Sequence, residues 1–361
     1  MQTLKIFCVG LFFTLLACNK NSSPTGAVVT GHPEATKIGI EILEYGGNAI
    51  DASIGVQLAL AVCLPNAGNI GGGGFMVARM KDGNSYTLDF REKAPKKAAQ
   101  NMYLDNNSNI IDSLSTYGSL SIGIPGTIDG IFEAHKKFGT IGIDTLFNLA
   151  IELAVDGFSI TEKQAQAFNY YQKDFKKFNP QNNYLQSEQW QKGDTLKQID
   201  LANTLTIIRD QGRNGFYEGE IASSIVSTTQ NEGIISLSDL KDYKSIWRDP
   251  IIFSFENYKL ISMPPPSSGG IALSQLLMMI FAFELDTIKH NSIHYIHLLS
   301  EIEKRVYADR AKHLGDMDYY NVPIRNLLNQ EYNYKRVKNI NLEKATPSEF
   351  ISSGKFKLQE S

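Results

Sequence analysis

Asp89 and Arg91 form the pair of residues that most clearly suggests ligand binding. They lie two positions apart in residues 85–91, where apolar and polar residues alternate, so a strand would point both side chains to one side. An arginine offers a planar fork that can hold a carboxylate through two parallel hydrogen bonds. An ordinary ion pair of Arg91 with Asp89, with Glu92 or with a neighbouring strand is the simpler interpretation, and spacing alone favours it.

Two other groups of residues resemble ligand sites, but each lacks a necessary part. The glycine run at residues 71–74 has no Lys-Ser/Thr pair after it, and a predicted strand beginning at Phe75 follows instead of a helix, so phosphate binding is not expected. His294, His297 and Glu301 could share one helix face and ligate a metal. No HExxH motif accompanies them, so a solvated or core-edge face is the preferred interpretation.

The residues alone reveal no nucleophile with its base. There is no GxSxG motif, and Cys63 lies in the apolar run 49–64, where a thiolate would be costly. Taken without any comparison, the chain is therefore an exported globular α/β protein with one suggestive arginine.

Composition narrows the class of protein and of partner. Of the 361 residues, 42% are hydrophobic and 20% charged, which is typical of a globular protein. Lys and Arg number 35 against 38 Asp and Glu, and a net charge of −3 without a basic stripe argues against nucleic acid as a partner. Cys8, Cys18 and Cys63 are too few for a disulfide framework and form no CxxC metal pair.

The N-terminus has the features of an export signal. Lys5 precedes an apolar run at residues 6–16, which has the length of a signal-peptide core and is too short to span a bilayer. The end of that run, Leu15-Leu16-Ala17-Cys18, resembles the bacterial lipobox. We therefore predict a lipoprotein signal peptide at residues 1–17, lipidation of Cys18, a flexible tether at 18–26, and a membrane-anchored protein in the periplasm or at the cell surface. An ordinary secretory signal is the alternative.

The elements that would position these residues alternate between helix and strand, with no internal repeat and no long linker, and predict one domain. Residues 163–200 are rich in Gln, Asn, Lys and Tyr and are predicted to be an irregular surface segment. Helices are predicted at 34–45, 49–64, 127–138, 145–155, 201–210, 218–232, 271–283 and 293–313. Strands are predicted at 75–80, 85–91, 121–124, 251–255 and 259–263.

Several blocks together resemble the γ-glutamyltransferase (glutathione hydrolase) family. They occur in family order and cover about residues 27–361, and their combination is far more specific than the glycine run alone. The blocks are GGNAIDA at 46–52, GNIGGGGFM at 68–76, DFREKAP at 89–95, GIPGT at 123–127, MPPPSSGG at 263–270, YADR at 307–310 and GD at 315–316.

The resemblance implies an N-terminal-nucleophile hydrolase fold of the αββα sandwich type, of which this chain would be the large-subunit portion, 27–361. In this family a precursor cleaves itself, and the new N-terminal threonine of the small subunit attacks a γ-glutamyl amide. The arginine of the DFRE block, which is Arg91 here, would bind the α-carboxylate of the donor. The implied partners are a γ-glutamyl small molecule, a small subunit from the same precursor and a membrane; no metal or organic cofactor is implied.

This sequence departs from the family pattern in one respect. It contains no Thr-Thr-His or Thr-Ser-His cleavage block, so the resemblance assigns no catalytic residue here, and the nucleophilic threonine is expected beyond Ser361. Alone, the chain is expected to be inactive and poorly soluble, because half of a sheet stack exposes apolar surface. Two alternatives remain open: a non-catalytic surface lipoprotein derived from this family, and a related acylase of the same superfamily.

Overall fold

The computed structural model describes residues 26–178, 189–229, 233–283 and 287–356. The predicted signal peptide, Cys18, and the predicted tether except for its last residue lie outside the described residues. No helix within those four segments is long and apolar enough to cross a membrane.

Helices make up most of the described structure. In chain order they are α1 (Pro33–Glu44), α2 (Ala49–Cys63), α3 (Thr127–Phe138), α4 (Ile143–Asp156), α5 (Glu162–Phe178), α6 (Ile199–Gln211), α7 (Arg213–Tyr217), α8 (Gly219–Thr229), α9 (Leu237–Asp242), α10 (Gly269–Ile280), α11 (Ile293–His313), α12 (Ile324–Leu327) and α13 (Gln330–Val337).

The strands form small antiparallel sheets. They are β1 (Phe75–Arg79), β2 (Ser85–Asp89), β3 (Phe158–Ser159), β4 (Thr195–Leu196), β5 (Ile246–Arg248), β6 (Ile251–Phe255) and β7 (Tyr258–Ser262). Within the described segments, β1, β2 and β5 form one sheet in that order, while β3 pairs with β4 and β6 with β7. The mixed helix and strand content confirms the predicted α/β class.

Residue contacts divide the chain into two compact units. The first unit contains the described residues up to Asn69 together with the described residues of His135–Gln211. Here α2 packs between α1 and α4, and α4 packs on α6. The nearly continuous apolar sequence of α2 is explained by burial on most sides, as predicted. The helix starts at a capping box, in which the Asn48 and Asp51 side chains each accept a hydrogen bond from the other's backbone N–H.

The second unit contains Ile70–Ala134 and the described residues from Gly212 onward, and it holds the β1–β2 hairpin. The predicted hairpin is confirmed, with Phe75 opposite Asp89 and Arg79 opposite Ser85. Its turn includes Gly83 at φ 87°, a backbone conformation that glycine adopts without strain. The other edge of β2 pairs with β5, so β2 is the central strand of the sheet.

A helical layer completes the second unit. Helix α10 packs against α11, α13 and the β6–β7 hairpin. Their shared core, which fixes the position of α11, consists of Met279, Ile280, Leu298, Ile302, Val306 and Val337.

Two predicted elements differ from the structure. Residues 162–178 form α5 and not an irregular segment, because α5 buries only Gln164, Ala165 and Phe168, a stripe too narrow to give clear periodicity. The predicted strand at 121–124 is wrong: a 3₁₀ turn ends at Ser121, and only Ile124 makes a β-bridge, to Lys93. The other predicted helices and strands are confirmed, with bounds within three residues of those observed, except that the predicted end of the helix at 218–232 lies outside the described residues.

Candidate functional site

Asp89 and Arg91 lie at the end of β2, but they do not form the ion pair that their spacing suggested. Asp89 is buried, and its Oδ1 accepts a hydrogen bond from the backbone N–H of Arg91 at 3.1 Å. The Arg91 side chain is exposed and has no hydrogen bond or ion pair to any described residue. The simpler interpretation from spacing is therefore wrong within the described structure, and the guanidinium is free to bind a ligand.

Asp89 instead pairs with Arg248, a residue that the sequence analysis did not single out. Arg248 Nε donates to Asp89 Oδ2 at 2.8 Å, and its Nη1 and Nη2 donate to the two carboxylate oxygens of Asp318 at 2.9 Å each. Burial would lower the pKa of Arg248, but the hydrogen bonds to Asp318 and Asp89 raise it instead. Because Arg248 engages two carboxylates, neither of them neutralises Arg91.

The backbone of Arg91 is held on two sides. The Tyr243 hydroxyl donates to the Arg91 carbonyl at 2.8 Å. On the other side the glycine run packs directly on the chain, since a Cβ at Gly73 would lie 2.4 Å from the Phe90 carbonyl oxygen. A Cβ at Gly126 would lie 2.0 Å from the same oxygen. The glycines of two motifs therefore serve close backbone approach to the segment that carries Arg91.

Tyr243 is in turn fixed by aromatic and polar contacts. Its ring stacks on Tyr217 with centroids 5.7 Å apart, and the Tyr217 hydroxyl donates to the Pro125 carbonyl at 2.8 Å. Burial raises the pKa of Tyr243, so its hydroxyl remains a hydrogen-bond donor across the physiological range. Buried Asp129 accepts from Ser245 N at 2.7 Å and pairs with Arg213, which anchors the chain that follows Tyr243.

Arg91 opens onto two cavities within the second unit, of about 470 Å³ and 420 Å³. We call these the Arg91 cavities. Their shared lining residues come from three motifs widely separated in sequence: Arg91, Glu92, Pro266, Ser268 and Arg310. The structure therefore brings together the DFRE, PPPSSGG and YADR blocks. Gly315 and Asp316 also line the larger cavity.

Arg310 is the second arginine at this site that the sequence analysis did not single out. Its Nε donates to Ser268 Oγ at 2.9 Å. The preceding residue, Asp309, is fully buried and accepts hydrogen bonds from Tyr332 Oη at 2.7 Å and Gly354 N at 2.8 Å. It also pairs with Arg336 at 3.0 Å. The YADR block was visible in sequence, but only the fold shows that Asp309 is internal and Arg310 faces a cavity.

The other residues considered as ligands or nucleophiles are engaged in internal contacts or buried. Glu301 is buried and pairs with Lys304 and Arg305, while His297 Nε2 lies 2.8 Å from the Asn341 carbonyl. The described segments contain no group of three or more His, Cys, Asp or Glu placed to hold a metal ion. Burial raises the pKa of Cys63 to about 12, so its thiol is a poor nucleophile.

A larger cavity of about 1140 Å³ lies within the first unit. Its lining is largely apolar, with Leu64, Ile160 and Phe168 among its residues, and it contains no arginine. For a charged small molecule, the Arg91 cavities supply the better-matched chemistry despite their smaller size.

Comparison with known proteins identifies the family. Residues 35–360 match the family model described as Gamma-glutamyltranspeptidase. The chain belongs to the gamma-glutamyltranspeptidase family. It is 43% identical over 333 residues to the glutathione hydrolase proenzyme of Pseudomonas aeruginosa, covering 91% of this chain and 59% of that protein. It is 40% identical over 341 residues to the glutathione hydrolase proenzyme of Escherichia coli, covering 93% of this chain and 59% of that protein.

A solved structure extends the match to three dimensions. The gamma-glutamyltranspeptidase of Helicobacter pylori superposes with a TM-score of 0.90 at 40% identity, covering 95% of this chain and 99% of that one. This match confirms the predicted fold class, that of the N-terminal-nucleophile hydrolases. The chain spans about three fifths of the length of the curated relatives that it matches.

Proposed function

We propose that this gamma-glutamyltranspeptidase family member is the large-subunit region of an enzyme that cleaves γ-glutamyl amide bonds in glutathione and its conjugates. The observation that carries the proposal is the exposed Arg91 guanidinium, which faces a cavity and is left without a carboxylate partner in the described structure. An unneutralised arginine held on a rigid strand end suits a free α-amino acid donor, whose α-carboxylate accepts two parallel hydrogen bonds.

Arg91 would contribute by binding and orientation. Gripping the α-carboxylate fixes the glutamyl chain, so the γ-carbonyl is presented at attack distance to a nucleophile. A threonine hydroxyl, activated by its own α-amine, then forms a γ-glutamyl ester and releases the leaving amine. Water or an acceptor amine subsequently takes the acyl group. Arg91 is thus a substrate-binding residue, and no described residue of this chain is assigned a catalytic role.

The nucleophilic threonine is proposed to lie on a small subunit formed from the same precursor. Two facts support this: the matched curated relatives are named proenzymes, and this chain spans about three fifths of their length. Expression of residues 27–361 with and without a candidate small subunit tests this point. Hydrolysis of γ-glutamyl-4-nitroanilide should require both polypeptides, and hydrolysis by residues 27–361 alone would contradict the proposal.

Replacement of Arg91 by lysine in the assembled enzyme tests the binding role. Lysine keeps the charge but loses the fork, so KM for γ-glutamyl-4-nitroanilide should rise by roughly 10-fold or more. Arg79→Lys is the matched control, because Arg79 is an exposed arginine of the same sheet that lines neither Arg91 cavity. An unchanged KM in the Arg91 variant would refute the assignment.

Membrane anchoring is a separate proposal. The lipobox-like sequence that ends at Cys18 supports export and lipidation, and hence a periplasmic or cell-surface location. Metabolic labelling with a tagged fatty acid should mark the wild-type protein but not Cys18→Ser. Labelling that persists in the variant would exclude Cys18 as the lipidation site.

A further inference from the structure

The two Arg91 cavities are bounded by a second arginine as well as by the first. Arg91 and Arg310 both line both cavities, so the two arginines border the same space. The two arginines come from different elements, since Arg91 follows strand β2 and Arg310 lies near the end of helix α11.

Arg310 is anchored but not neutralised. Its Nε is engaged by the uncharged Ser268 hydroxyl at 2.9 Å, which leaves Nη1 and Nη2 without a hydrogen-bond partner among the described residues. The backbone beside it is fixed because the adjacent Asp309 is fully buried and bonded to Tyr332 and Gly354. A guanidinium held in this way presents the two-nitrogen edge that matches a carboxylate.

None of the four acidic residues that line the larger cavity forms an ion pair with Arg91 or Arg310 in the described structure. Asp89 and Asp318 are both engaged by Arg248, which is the third arginine of the lining. Glu92 and Asp316 also line the cavity, but in the described structure neither forms an ion pair with Arg91 or Arg310. Arg91 and Arg310 therefore have no direct carboxylate partner in the described structure, within a lining that holds four basic residues, Lys93 among them, and four acidic ones.

We infer that Arg310 binds a second carboxylate of the donor, the one at the C-terminal end of the leaving group, while Arg91 binds the α-carboxylate. This inference rests on the proposed function and narrows its substrate class. The favoured donors are γ-glutamyl peptides with a free C-terminal carboxylate, and γ-glutamyl amides with an uncharged leaving group lose the Arg310 contact.

A matched pair of donors isolates this contact. The assembled two-subunit enzyme is assayed with γ-glutamylglycine and with γ-glutamylglycinamide, which differ only in the second carboxylate, and kcat and KM are measured from the released amine. For each donor the variant is compared with wild type, so the different leaving-group basicities cancel. Arg310→Gln should lower kcat/KM for γ-glutamylglycine by roughly 10- to 100-fold, mainly through KM, and change that for γ-glutamylglycinamide less than about 3-fold.

Two further variants complete the test. Arg310→Lys keeps the charge without the fork and should give a smaller loss for γ-glutamylglycine alone. Lys312→Gln removes an exposed charge from the same helix, lines neither cavity, and should leave both donors unchanged.

The outcomes distinguish this inference from the proposed function. Equal losses for both donors in the two Arg310 variants would show a role in assembly or folding and overturn the inference alone, as would no loss for either donor. A wild-type enzyme that hydrolyses neither donor would overturn the proposed function and the inference together.

Discussion

Asp89→Asn is expected to loosen the sheet that carries Arg91. Asparagine keeps the size of the side chain and can still accept the hydrogen bond from Arg91 N. It cannot supply the negative charge that now lies 2.8 Å from the buried Arg248 guanidinium. The substitution therefore removes one of two carboxylates from a buried cation without creating a cavity.

The free-energy cost of Asp89→Asn depends on the hydrogen bonds that Arg248 keeps in the variant. Removing one partner from a buried ion pair costs about 3–5 kcal/mol, because the other charge is left uncompensated. Arg248 keeps its two hydrogen bonds to Asp318, whose side chain is 32% exposed, so the expected cost falls to about 2–3 kcal/mol. Since 1.4 kcal/mol is a factor of ten, local opening of the sheet should become roughly 30- to 150-fold more frequent.

Hydrogen–deuterium exchange with mass spectrometry on the assembled protein measures this opening directly. Peptides covering β2 and β5 should exchange faster in Asp89→Asn by that factor, because Thr87–Asp89 pair with Ile246–Arg248. Peptides covering α4 belong to the first unit and serve as the internal reference. Asp318→Asn is the matched variant and should have a smaller effect, because Asp318 is partly solvated.

Two results would refute this reasoning. If β2 and β5 exchange at the wild-type rate in Asp89→Asn, the pair with Arg248 does not stabilise the sheet. If Asp318→Asn accelerates exchange more than Asp89→Asn does, the partly exposed Asp318 and not the buried Asp89 is the more important partner of Arg248.

Three further predictions concern the surroundings of the site. Burial alone would raise the pKa of Glu301, but hydrogen bonds from Lys304, Thr346 and Arg305 lower it to about 2. The ionised Glu301 should therefore stabilise the fold above pH 4.5, and this stabilisation should be lost as the pH falls toward 2. In that pH window the free energy of unfolding should depend less on pH in Glu301→Gln than in wild type. Cys63, with its pKa raised to about 12 by burial, should react with iodoacetamide only after denaturation, and rapid alkylation of the native protein would contradict its buried position. Gly354→Ala places a Cβ 2.1 Å from Tyr332 Oη and should cost about 1–3 kcal/mol in thermal unfolding, whereas Gly142→Ala, whose Cβ meets nothing within 4 Å, should be nearly neutral.

The helices with a broad apolar face were predictable because their pattern is local. The predicted bounds of α3 and α11 coincide with those observed, since the apolar periodicity that predicts each helix lies within its own segment. Helix α5 was missed because it buries few residues, and its Gln- and Lys-rich surface resembles that of a loop. The strand predicted at 121–124 failed because four apolar-alternating residues cannot reveal whether a partner strand exists.

The candidate site was only partly accessible from sequence. Arg91 was found because it follows Asp89 by two positions in an alternating segment and because it belongs to the DFRE block. Its proposed role follows from the family resemblance. Whether Asp89 would neutralise Arg91 could not be decided from sequence, because Arg248, which pairs with Asp89 instead, lies 157 positions away from Arg91 in the chain. Arg310 was present in a recognised block, but nothing local indicated that it would face the same cavities.

Short-range pattern and motif order were enough to predict the family, the hairpin that carries Arg91 and the glycines that flank it. Which charges are paired and which are not became clear only from the folded chain. Asp89 and Asp318 are taken by Arg248, while Arg91 and Arg310 have no carboxylate partner among the described residues. The physical reason is that an ion pair depends on distance in space, and the fold brings these side chains together from four separate stretches of chain.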